Sequence, residues 1–218
     1  ACTNGAQGTG GAHEPGASIG RSLGSPTTSQ GTGGAEADRT PDLGASERCV
    51  YFDQGKERSV WRDPELVAEF HPTENGRASL LAASPDGAEI ATGQASVRLW
   101  RVRAGLDLDQ LVRGLNMGMT GETRFSPVFH ETAWVTSPVR ALPGGVLAQF
   151  PADWQEARCR DWATTRNLPL LSHVLREPNI ALLETPPGIE SLEIANRLSA
   201  EGELLNARPN WWMSVSQR

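Results

Sequence analysis

Residues Ile180–Trp212 read IALLETPPGIESLEIANRLSAEGELLNARPNWW. The opening run, Ile180–Thr185, is short and apolar, and Pro186-Pro187-Gly188 stops it. Ile189, Leu192, Ala195 and Leu198 then recur at helical spacing, which makes one side of a helix apolar, and Gly202 ends that helix. Glu203–Trp212 returns to an extended reading, so the stretch is strand, helix, strand. The residues before it supply the other half of a motif. LPGGVLAQF (Leu142–Phe150) is a turn and a strand over Val146–Phe150, and PADWQEARCRDWATTRN is a helix opened by Pro151 and Asp153 and stopped at Asn167. Trp154 and Trp162 lie two turns apart on its same broad side. LPLLSHVL (Leu168–Leu175) is another strand, and REPN turns the chain back into Ile180.

Strand, helix, strand, strand, helix, strand within roughly 70 residues is the ferredoxin-like split arrangement. Right-handed crossovers place both helices on one face of a four-stranded antiparallel sheet. The other face is then uncovered, and an apolar open face is a surface for a partner. The fold class expected is α+β: a C-terminal ferredoxin-like βαββαβ subdomain over 143–218, preceded by a small β-rich subdomain and a disordered tether.

Moving outward, residues 49–118 read as the β-rich subdomain. Ser59–Trp61 and Leu66–Phe70 are two extended runs broken at Asp63-Pro64. Ser84-Pro85-Asp86-Gly87 is a turn, and Val97–Val102 is a strand with apolar character on both faces. A short helix follows over Leu106–Leu115, and Asn116–Arg124 reads as a loop. Residues 119–142 read as an extended linker with strand character at Phe125–Phe129 and Ala133–Val139. Residues 1–48 hold 11 of the 23 glycines and no aromatic side chain. Such a stretch cannot bury enough apolar surface to offset its chain entropy and is expected to be a flexible tether.

The net charge of −6 and the lack of a basic run with interleaved aromatics argue against nucleic-acid binding. No apolar stretch approaches the roughly 20 residues of a membrane-spanning helix. Cys2, in ACTNG, has two readings: a lipidated remnant of a lipoprotein cleavage site, or a cysteine in a disordered leader. Cys49 and Cys159 either pair in an oxidising compartment or stand as two separate buried thiols. Neither spacing resembles a zinc site.

A catalytic constellation is not legible. The four histidines, His13, His71, His130 and His173, lie in unrelated contexts, with no His-Glu-x-x-His or Gly-x-Ser-x-Gly motif. The glycine-rich Gly8–Ser22 lacks the lysine and the strand–helix setting of a phosphate loop. The chain reads as non-catalytic, with no cofactor and no metal.

RALPGGVLAQFPADWQEARCRDW, NIALLETPPGIESLEIANRLSAEG and ARPNWW resemble the N-terminal propeptide of secreted bacterial subtilisin-like serine proteases. The likeness covers roughly residues 124–213, and the pairing of SLEIANRL with PNWW is its specific part. It implies a secreted or cell-envelope location and a propeptide that templates folding of the catalytic domain and then inhibits it, in cis or in trans. It also implies that the catalytic domain follows Arg218. The protease-binding residues would be Trp211, Trp212, Met213, Ser214, Val215, Ser216, Gln217 and Arg218, the tail lying in the substrate cleft as an added strand. Neighbouring strand residues face opposite ways, so one of Trp211 and Trp212 is expected to pack on the helices and the other to face the partner. His173 is either a structural histidine or a pH sensor at the docked interface. Two rivals stand beside this reading: a free-standing cell-envelope (lipo)protein that binds or inhibits a protease, and a subunit lending residues to a shared enzyme site.

Overall fold

The computed structural model describes residues 46–133, 138–175 and 179–214, with the backbone of Cys2–Thr3. The chain is α+β, with a four-stranded antiparallel sheet in the C-terminal half and an eight-stranded sheet built mostly from the N-terminal half. Apart from Cys2–Thr3 and the start of the first long strand, the segment expected to be a tether lies outside the described residues.

Strand β1 (Cys2–Thr3) pairs with β2 (Arg48–Asp53), Cys2 opposite Cys49. Gln54 and Gly55 turn the chain with φ of 52° and 71° into β3 (Lys56–Phe70). The two runs expected around Asp63-Pro64 are one 15-residue strand. Proline lacks an N–H for the ladder, and a bulge absorbs it: pairing with β6 (Arg124–His130) jumps from Arg62 to Val67. Inside the bulge the Glu65 N–H donates to Asp63 Oδ1 at 2.8 Å. One edge of β3 is shared by β2 and by β5 (Val97–Arg101), which also pairs with β4 (Ala88–Ile90). The expected turn before β4 forms, with the Gly87 N–H on the Ser84 carbonyl at 2.9 Å. Beyond β6 lies β7 (Val139–Ala141). Within residues 119–142 the strand expected at Phe125–Phe129 forms as β6, an interior strand of the larger sheet, while most of the run expected at Ala133–Val139 lies outside the described residues.

Helices α1 (Glu74–Ala83) and α2 (Leu108–Gly118) cover one face of that sheet, Leu80, Leu108, Val112 and Leu115 packing with Val67, Trp100, Val102 and Phe125. The sequence reading has no helix where α1 lies. It starts at Thr73, whose Oγ1 accepts the Gly76 N–H at 3.0 Å. It turns in place over Glu69, which is fully buried and accepts from Trp100 Nε1 at 2.9 Å and from the Thr73 N–H at 3.2 Å. A Cβ on Gly76 would collide with Glu69 Oε1. Gly76→Ala should therefore lower stability by about 1–3 kcal/mol, read from the midpoint of urea unfolding, although alanine is the better helix former. Helix α2 begins two residues later than expected because Asp107 caps it, accepting from the Asp109 and Gln110 N–H groups at 3.0 Å each.

The C-terminal half follows the expected order: β8 (Val146–Gln149), α3 (Glu156–Thr165), β9 (Leu170–Leu175), β10 (Ile180–Leu183), α4 (Ile189–Glu201) and β11 (Asn206–Pro209). The sheet order β11-β8-β10-β9, antiparallel throughout, is the ferredoxin-like one. Gly144 (φ 100°) lets β8 start hard against the end of β10, where a Cβ would sit 2.7 Å from the Thr185 carbonyl oxygen. Helix α3 starts at Glu156 rather than Pro151, because Pro151–Trp154 first form a turn, the Trp154 N–H on the Pro151 carbonyl at 3.0 Å. Phe150 is fully buried with its ring centroid 5.7 Å from Trp154 and 5.4 Å from Trp162.

Helix α4 serves two cores. Ala195 and Leu198 join the cluster under the four-stranded sheet, with Val146, Ala148, Ala181 and Ala207. Leu192 and Ile189 pack on the other side with Cys49, Tyr51, Val60 and Phe129. Asn196 Nδ2 donates to the Val50 carbonyl at 2.7 Å across this seam, and the Gln54 N–H donates to Asn206 Oδ1 at 3.0 Å.

Candidate functional site

The register of the four-stranded sheet decides which side chains lie on its open face. Ala207, Ala148, Ala181 and His173 are aligned across the strands, and the three alanines belong to the helix-side core. The intervening row, Arg208, Leu147, Leu182 and Ser172, therefore points away from the helices, as does Asn206, Gln149, Ile180 and Leu175. Leu147, Leu182 and Ile180 are half-buried, while Leu175 is 49% exposed. Strand β9 is the edge of this sheet and its pairing to β10 slips twice, leaving Leu171 and Val174 55% and 51% exposed. On this face Arg208 and Asn206 are held to Asp53 of the β2–β3 turn, and Leu147, Leu182, Ile180 and Leu175 lie toward the β9 edge as the molecule's clearest docking feature.

His173 sits in the alanine row, on the helix side of the sheet, with Nε2 buried and unpartnered. That removes it from the open face, so the reading of it as an interface pH sensor does not hold. The sequence leaves this undecided because a bulge exchanges the faces of a strand.

The C-terminal segment takes a different course from the one expected. The fourth strand ends at Pro209, and Asn210 makes the last bonds to the smaller sheet's first turn, its N–H on the Gly145 carbonyl at 3.1 Å and its Nδ2 on the Gly144 carbonyl at 3.3 Å. The chain then crosses to the larger sheet, where β12 (Trp212–Met213) pairs antiparallel with β7. The indoles point to opposite sides, as alternation requires. Trp211 enters the seam beside α4, edge-on to Tyr51 (5.3 Å) and Phe129 (5.4 Å). Trp212 packs edge-on to Phe70 at 6.1 Å and donates its Nε1–H to Gln94 Oε1 at 2.8 Å. The residue expected to face a partner is thus engaged within the chain. Met213 is exposed, and Ser214 donates its N–H to the Val139 carbonyl at 3.0 Å. Val215, Ser216, Gln217 and Arg218 lie outside the described residues.

Two groups bear on catalysis and compartment. His130 and Asp63, 67 residues apart, meet in the interior with Nε2 and Oδ2 2.9 Å apart. No local motif signals this pair. It lacks the third member of a catalytic relay, for the remaining ring nitrogen, Nδ1, is buried without a partner. His71 is exposed in a positive-φ turn between β3 and α1, and His13 lies outside the described residues. Among the described residues no cluster of three or more His, Cys, Asp or Glu is placed to hold a metal ion. Cys49 is disulfide-bonded and Cys159 is a free, buried thiol, so these two are not a pair. Burial pushes the Cys159 thiol pKa up, which keeps it protonated and unreactive. The backbone of Cys2 faces Cys49, while the side chain on which the lipid-anchor reading rests lies outside the described residues. No helix among the described residues is long and apolar enough to cross a membrane.

No protein-family model, curated protein or solved structure matches this chain.

Proposed function

We propose that the chain is a non-catalytic propeptide that helps a subtilisin-like catalytic domain to fold and then inhibits it. The observation that carries this reading is the apolar group Leu147, Leu182, Ile180 and Leu175 on the helix-free face of the ferredoxin-like sheet. Covering those side chains with a partner's apolar surface gains roughly 25 cal/mol per Å². The C-terminal segment supports the same reading: its strand Trp212–Met213 is an edge strand of the larger sheet, and a strand edge is what strand addition requires. The disulfide at Cys49 fits an oxidising, secreted or cell-envelope setting.

The test is addition in trans. A denatured bacterial subtilisin catalytic domain, diluted into buffer with and without the chain, should recover several-fold more peptidase activity with it. That activity should then fall as the chain is raised above stoichiometry. No gain in refolding and no inhibition would end this reading. Hydrolysis of a peptide substrate by the isolated chain would replace it with an enzyme.

A further inference from the structure

We propose that the eight-stranded sheet is the guide that aims the C-terminal segment, and that Gln94 is its positioning residue. The proposal rests on the inhibitor reading above and gives a task to the half of the chain which that reading leaves idle. Once past Asn210 the segment has left the four-stranded sheet. Its direction is then set on the larger sheet by Trp211 in the seam, by the β12–β7 pairing with the Ser214 N–H on the Val139 carbonyl, and by the Trp212 indole N–H on Gln94 Oε1.

The Gln94 contact is braced by its own loop. Gln94 lies in the loop between β4 and β5, where Gly93 turns at φ 69°. Thr92 pins that loop: its Oγ1 accepts the Gln94 N–H at 3.1 Å and donates its one hydrogen to the Val97 carbonyl at 2.6 Å, with the Gln94 carbonyl 3.1 Å away. The Val97 N–H returns to the Gln94 carbonyl at 3.2 Å. One side-chain carbonyl is thereby offered from a stiff loop to an indole 118 residues further on. The Phe70 ring backs the same indole edge-on.

A short extended tail held at one point samples many directions. Each added contact narrows that range, and the ordering cost of binding a cleft is met in advance. If loosening the indole lowers the fraction of tails aimed correctly to about a tenth, apparent inhibition weakens about ten-fold. Gln94 touches no partner in this scheme. It acts through Trp212.

The experiment uses the full chain and three variants, assayed against a broad-specificity bacterial subtilisin on a chromogenic peptide. Gln94→Leu removes the acceptor at similar size, Gln94→Glu keeps an acceptor oxygen, and Thr92→Val unpins the loop. Thermal unfolding and hydrogen exchange at the Ser214 amide are recorded on each. The expected result is inhibition weakened about ten-fold in Gln94→Leu and Thr92→Val, faster Ser214 exchange in both, midpoints close to the parent, and both properties restored in Gln94→Glu. Equal inhibition by the parent and Gln94→Leu, with Ser214 exchange accelerated, overturns the guide and leaves the inhibitor reading standing. Ser214 exchange unchanged in Gln94→Leu removes Gln94 from the role. A parent chain that does not inhibit removes the inhibitor reading, and the guide falls with it.

Discussion

Replacing His130 by alanine should destabilise the protein by about 3–5 kcal/mol, the cost of leaving one member of a buried polar pair behind. His130 and Asp63 are 2% and 6% exposed, and His130 Nε2 is the side-chain partner of Asp63 Oδ2. Without the imidazole that oxygen faces a cavity instead of a partner. The second carboxylate oxygen holds the Glu65 N–H, so strain reaches the bulge that lets β3 run through Pro64. Asp63→Asn keeps an acceptor for the Glu65 N–H and should lose distinctly less. The check is urea unfolding of the three proteins side by side. A His130→Ala midpoint corresponding to under ~1 kcal/mol would mean that the pair contributes no more than an ordinary surface contact.

The second large effect should come from Trp211→Ala, at about 3 kcal/mol, the lower end for truncating a large aromatic because this indole is only half-buried. In a domain of this size that is a fall of roughly 6–12 °C in Tm. The side chain stacks edge-on against Tyr51 and Phe129 in the seam that also holds Leu192 of α4. Losing it weakens the joint between the sheets as well as one core, so the unfolding transition should also broaden. Trp211→Phe is the informative control. It keeps the ring contacts and removes an indole N–H that is buried without an acceptor, so it should be close to neutral. Calorimetry on both variants reads the two outcomes. A sharp, unshifted transition in Trp211→Ala would show the seam to be held elsewhere.

The C-terminal half was legible because its information is local. The apolar spacing of Ile189, Leu192, Ala195 and Leu198, the Gly202 stop and the Pro186-Pro187-Gly188 break each act within a few residues, and α4 and β10 lie where they predict. Helix α1 was not legible for the opposite reason. Gly76 in its first turn looks like a break, and what makes glycine necessary there is the Glu69 carboxylate, a contact across the fold. The same holds at Asp63-Pro64, which stops a strand in isolation but is absorbed once β6 supplies a bulged partner. The open face of the smaller sheet follows from the strand order, yet the slips in β9 that set the facing of His173 do not. The destination of Trp212 was beyond any local pattern: its choice of β7 over β8 depends on an edge and on an amide at Gln94, both far away in sequence.

The return of β12 to the first sheet also places a clock on biosynthesis. Translation delivers roughly 5–20 residues per second, so β7, once made, waits for its second neighbour until Trp212 has been polymerised. Over that interval of roughly 4–14 s the sheet has one edge unpaired and the α4 seam lacks an indole. The cluster under the four-stranded sheet uses no residue beyond Ala207, so it can close before Trp211 and Trp212 are made, and the seam closes last.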